Sequence, residues 1–139
     1  MKVTKLIREH IEEQINTLYT PAIESVNNEL NSLRKQADTA QENIKEKVRK
    51  LAFDFLKENG FINKDKSNNA KDALSLYVYA EPKEIVEAKL KLEKKKQEIK
   101  AKRDKTIMDI LLELELGGNK ETLDSLLEKA NKDFSKIKY

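Results

Sequence analysis

PAIESVNNELNSLRKQADTAQENIKEKVRKLAFDFLKE (Pro21–Glu58) and PKEIVEAKLKLEKKKQEIKAKRDKTIMDILLELEL (Pro82–Leu116) decide the fold between them. Each tract opens on a proline, whose missing N–H is no loss in the first turn of a helix. Each closes on glycine, Gly60 after the first and Gly117-Gly118 after the second, where a left-handed cap is easiest to form. At about 1.5 Å per residue the two would run about 57 and 52 Å. Two helices of matched length joined by one short segment read as an all-α, coiled-coil-like, long antiparallel helical hairpin.

The apolar spacing supports helices along most of the chain. Before the first tract, Val3, Ile7, Ile11, Ile15 and Leu18 recur at steps of four or three, so residues 4–19 form an amphipathic helix. Thr20-Pro21 then predicts a restart, with Thr20 as N-cap and Pro21 as the first helical residue. The spacing Leu18, Ala22, Val26, Leu30 runs through this point and leaves a kinked continuous helix as the alternative. Within 21–58 the stripe reads Leu30, Leu33, Ala37, Ala40, Ile44, Val48, Leu51 and Phe55. The step of four from Ile44 to Val48 is a stutter, which locally unwinds a left-handed supercoil.

Asn63 to Asn69 is a polar loop by composition. Residues 70–80 fit a short helix through Ala70, Ala73, Leu74 and Tyr77, whereas Leu76-Tyr77-Val78-Tyr79 has strand propensity; the helix is preferred. In the second tract, 82–116, apolar residues crowd the two ends and thin to Ile99 in the middle. A closing helix at 120–132 carries Leu123, Leu126, Leu127 and Ala130 on one face behind Asn119 as cap.

Folded as a hairpin, the first and last helices attach at the apolar-rich end of 82–116 and form a small helical head. At the opposite tip Leu51, Phe53, Phe55, Phe61 and Tyr77 are expected to gather under a short helical or β connection. Burying one Leu or Phe stabilises by about 1.5–3 kcal/mol, so the head should be the stable part of a single elongated domain spanning 1–139.

Composition narrows the function classes. Charged residues make up 38% of the chain, but the signs are interspersed and the net charge is only +3. Cysteine is absent, which removes thiol nucleophiles, thiolate metal sites and disulfides. No run approaches the length of a membrane span, and a soluble, cytoplasmic protein is expected. The abundance of Lys, Asn, Glu and Ile suits an AT-rich genome, such as those of many bacteria and their phages.

Catalytic signals are weak. His10, the only histidine, sits at the edge of the first apolar stripe. Asp38, Glu42 and Glu46 form an i, i+4 row opposite the stripe and read as a solvated face. Gly117-Gly118-Asn119 reads as cap and turn rather than as a phosphate cradle. No enzyme activity, cofactor or metal is expected.

The strongest local anomaly is basic: between residues 89 and 105 lie eight lysines and one arginine against Glu93, Glu98 and Asp104. Lys91, Lys95, Lys96, Lys100, Lys102 and Arg103 are the candidate macromolecule-binding residues, since phosphates would gain from counterion release there. They nonetheless flank the Leu92/Ile99 stripe on both sides, as lysines snorkelling along a thin coiled-coil seam would.

In shape alone such a hairpin resembles prefoldin-type chaperone subunits and phage Gam-type nuclease inhibitors; no residue motif is shared with either. The expected function is a non-catalytic interaction protein that binds or blocks another macromolecule, in its sharpest form a small phage or mobile-element inhibitor or regulator. A protein partner is favoured. A homodimer, a nucleic-acid-binding protein using helix 89–105, and a structural assembly or virion component stay open.

Overall fold

The computed structural model describes residues 2–61 and 80–137, and the secondary structure of the described residues is all-helical. Among the described residues there are three helices: α1 (Lys5–Glu58), α2 (Lys83–Glu115) and α3 (Lys120–Ser135). The choice between helix and strand for residues 70–80 lies outside the described residues, as does Tyr77.

Thr4 starts α1. Its hydroxyl accepts from the Ile7 amide at 3.3 Å and its carbonyl from the Arg8 amide at 3.0 Å, the two bonds of an N-cap. The helix then continues to Glu58 with Pro21 inside it, so the restart expected at Thr20-Pro21 does not occur. Thr20 does not cap forward. Its hydroxyl donates backward to the Asn16 carbonyl at 2.6 Å. Ile11, Ile15, Tyr19, Val26 and Leu30 are all buried and share one face of α1 through the proline, whose ring is exposed. A restart would rotate that face out of phase. Holding several side chains worth about 1.5–3 kcal/mol each outweighs a proline cost of about 3 kcal/mol.

The far end of α1 closes in a Schellman arrangement. The Phe61 amide donates to the Leu56 carbonyl at 2.9 Å and the Gly60 amide to Lys57 at 3.2 Å. Gly60 has φ +82°, a left-handed conformation that glycine adopts without penalty.

The chain divides into two compact units. The first comprises Met1–Glu29 and Lys91–Tyr139, the second Leu30–Leu90. In the first unit the start of α1, the second half of α2 and α3 share a core. Ile11, Ile15 and Tyr19 come from α1, Ile99, Ile107, Ile110, Leu111 and Leu114 from α2, and Leu123 from α3. Tyr19 meets Phe134 edge to face, with ring centroids 4.7 Å apart. The turn from α2 to α3 is tight. A Cβ on Gly118 would lie 2.9 Å from Leu114 Cδ2 and 3.0 Å from Leu114 Cα, so only glycine fits there. Asn119 caps α3, accepting from the Thr122 amide at 2.9 Å and the Thr122 hydroxyl at 3.0 Å.

The described part of the second unit has a thinner interior. Its buried described residues are Leu30, Ala37 and Gln41. Gln41 accepts from the Ala80 amide through Oε1 at 2.7 Å. Lys89 reaches both carboxylate oxygens of Glu81, at 3.1 and 3.0 Å, just ahead of the first turn of α2. The tip cluster expected from Leu51, Phe55 and Phe61 is not a core: all three are exposed, while Phe53 and Leu56 are half-buried. Beyond Ala37 the inward face of α1 passes to Gln41, Lys45, Arg49, Ala52 and Leu56, with half-buried Val48 at its border. The straight apolar row Ile44, Leu51, Phe55 is left outside.

Candidate interaction surfaces

The basic stretch of α2 is built around Ile99, which is fully buried. Lys95, Lys96, Lys100 and Arg103 are half-buried beside it, and only Lys91 and Lys102 of the six candidates are exposed. Ile99 is thus the buried centre of the stretch, and the structure does not gather the six side chains on one open face. Half-burial is what a long cationic side chain shows when its methylenes lie along apolar surface and its head stays in water. Arg103 is further engaged, donating from Nε to the neighbouring Asp104 carboxylate at 3.0 Å. From Lys83 to Glu115 the helix carries no aromatic residue that a base could stack on.

A different surface of the first unit is more open and more apolar. Val3, Thr4, Lys5 and Arg8, at the start of α1, line a groove of about 390 Å³ with Met108, Leu111, Leu112 and Glu115 of α2. Leu111 forms its buried floor; Met108 and Leu112 are 59% and 55% exposed, too much for core residues of this size. Leu6 and Leu116 are exposed as well. Lys5, Arg8 and Glu115 supply charge of both signs at the rim. Arg8 and Lys5 are partly engaged by Glu12 and Glu9, each one helical turn on, at 3.6 and 3.9 Å.

The second unit carries the other apolar surface: Ile44, Leu51 and Phe55 on α1, with Val86 and Leu90 exposed on α2. Sequence reasoning missed it because it assigned the apolar row to the interior. A competing signal was present. Gln41, Lys45 and Arg49 form a polar row at the same i, i+4 spacing, and only the position of the neighbouring chain decides which row faces inward.

The remaining chemical candidates have ordinary placements. His10 is exposed. Asp38, Glu42 and Glu46 are exposed, with Glu42 near Lys45 at 3.7 Å and Glu46 paired with Arg49 at 3.1 Å. Among the described residues no group of three or more His, Cys, Asp or Glu side chains is placed to hold a metal ion. No helix among them is long and apolar enough to cross a membrane. No protein-family model matches the chain, and neither a curated protein nor a solved structure matches it.

Proposed function

We propose that the chain is a non-catalytic interaction protein whose work is to bind, and thereby block or position, another protein. The observation that carries this reading is the apolar groove of the first unit. Met108 and Leu112 stand open beside buried Leu111, rimmed by charges that would orient a partner without contributing much affinity. The natural occupant is an apolar segment of a second protein, which would cover Met108 and Leu112 and leave Lys5, Arg8 and Glu115 at the edge.

The long antiparallel hairpin is the scaffold in this proposal. Within the first unit, Thr4 and Arg8 share a groove with Leu112 and Glu115, whereas Arg8, Glu12 and Asn16 share the next with Arg103, Asp104 and Ile107. Numbers that rise along α1 against numbers that fall along α2 support two helices of opposite direction. Within the second unit, Ile85 lines a depression with Ser32, Gln36 and Ala40, and Ala80 bonds Gln41, in the same sense.

The test is site-specific photo-crosslinking in cells of the source organism, with the reactive side chain at Leu112 or, as control, at exposed Lys94. One discrete protein adduct at Leu112, abolished by Met108→Glu with helix content unchanged, is the expected result. The same chain is titrated with duplex DNA at low and moderate salt. No adduct at Leu112, together with DNA affinity that falls steeply with salt and is lost on Lys91→Glu/Lys102→Glu, would replace this reading by nucleic-acid binding.

A further inference from the structure

The second unit carries a surface independent of that groove, and its pattern specifies its own partner. Ile44, Leu51 and Phe55 are 40%, 69% and 65% exposed. With half-buried Val48 between them they recur at steps of four, three and four, the spacing of two successive d and a pairs in a coiled coil. At about 100° per residue, the three exposed side chains fall within about 40° of one another on the surface of α1. They lie about 100° from the row Lys45, Arg49, Ala52, Leu56 that faces the unit's interior. The helix thus has two seams. One is used within the unit and the other is open.

Lys47 and Asp54 border the open seam on the side away from the interior. Both are exposed, they are one heptad apart, and neither takes part in an ion pair within the described chain, unlike Lys45 and Arg49 nearby. In coiled-coil terms both occupy g positions, and g positions face each other only when two helices run antiparallel.

We propose that a second copy of this chain packs antiparallel on the Ile44–Leu51–Phe55 seam, related by a two-fold axis between the two α1 helices. In that register Leu51 of each copy meets Val48 of the other, and Phe55 meets Ile44. Lys47 of each copy faces Asp54 of the other, so one arrangement satisfies two charge pairs and closes on itself. A parallel pairing sets Lys47 opposite Ala52 and Asp54 opposite Asn59, leaving both charges without partners. The charge pattern therefore selects a second copy, and selects its direction.

The experiment uses the full chain and reads its mass by sedimentation equilibrium over a wide concentration range. The wild type is expected to pass from monomer to dimer. Lys47→Asp and Asp54→Lys, each alone, place like charges opposite each other twice per dimer and should weaken association by about tenfold or more. An equimolar mixture of the two single variants restores both pairs in the mixed dimer. Its association should return to wild-type strength. Since both side chains are exposed, helix content by circular dichroism should not change in either variant. A wild type that stays monomeric throughout overturns the proposal. So does a mixture that associates no better than its components.

Discussion

The two units are cut from the same pair of helices and use them differently. In the first, α1 and α2 bury large aliphatic side chains against each other and against α3, with Ile11, Ile99 and Leu114 fully removed from solvent. Among the described residues of the second, only Leu30, Ala37 and Gln41 are buried, and Ile44, Leu51 and Phe55 of α1 stand outside. In the first unit a third helix, α3, adds to the burial. Two helices can each bury only a narrow stripe, and one further helix covers the flanks that would otherwise stay wet. The first unit is thus held by its own core, whereas the described part of the second leaves Ile44, Leu51 and Phe55 open to solvent.

Leu114→Ala should have the largest effect. Leu114 is fully buried in the first unit and also lies against Gly118 at the turn into α3. Truncation removes apolar burial and leaves a cavity, at a cost of about 2–5 kcal/mol. Urea unfolding followed by circular dichroism would show it as a lower midpoint. A loss well under 1 kcal/mol would mean that the first unit is no better packed than the second, and the contrast would fail.

Pro21→Ala should act in the opposite direction. Pro21 lies inside α1 with its ring exposed, so the substitution removes no buried contact. It restores an amide that can donate to the Thr17 carbonyl and relieves the ring's clash with that carbonyl. Set against a helix-interior proline cost of about 3 kcal/mol, a gain of about 1–3 kcal/mol is expected in the same unfolding experiment. Destabilisation would show that the proline shapes the first unit's packing in a way alanine cannot.

What could be read from the sequence was whatever depends on neighbours along the chain. Asn119 and Gly60 mark helix ends because caps are made by residues three to five apart. The all-helical class followed from apolar spacing for the same reason. Pro21 was misread because its local cost is real but is outweighed by a buried face running from Ile11 to Leu30, well beyond the reach of a local rule. The Ile44–Phe55 row was misread for a related reason. Apolar spacing says which residues of a helix are alike, and only the neighbouring chain says which way they turn. The basic residues from Lys91 to Arg103 belong to the same class: their number was visible, and the half-burial of four of the six candidates was not.

The smallest expected effect sharpens the contrast most. Leu51→Ala is the same chemical change as Leu114→Ala, on the same type of helix, in the other unit. Leu51 is 69% exposed, so truncation opens no cavity and forfeits little burial. Alanine also has a slightly better helix propensity than leucine. In dilute solution, where chains are monomeric, stability should stay within about 0.5 kcal/mol of wild type. Should Leu51→Ala instead cost as much as Leu114→Ala under those conditions, the Ile44–Phe55 row would be covered within the monomer and unavailable to a second copy. A neutral result in dilute solution combined with lost self-association at high concentration would place the contribution of Leu51 between chains, where the second unit finds the burial that the first finds within itself.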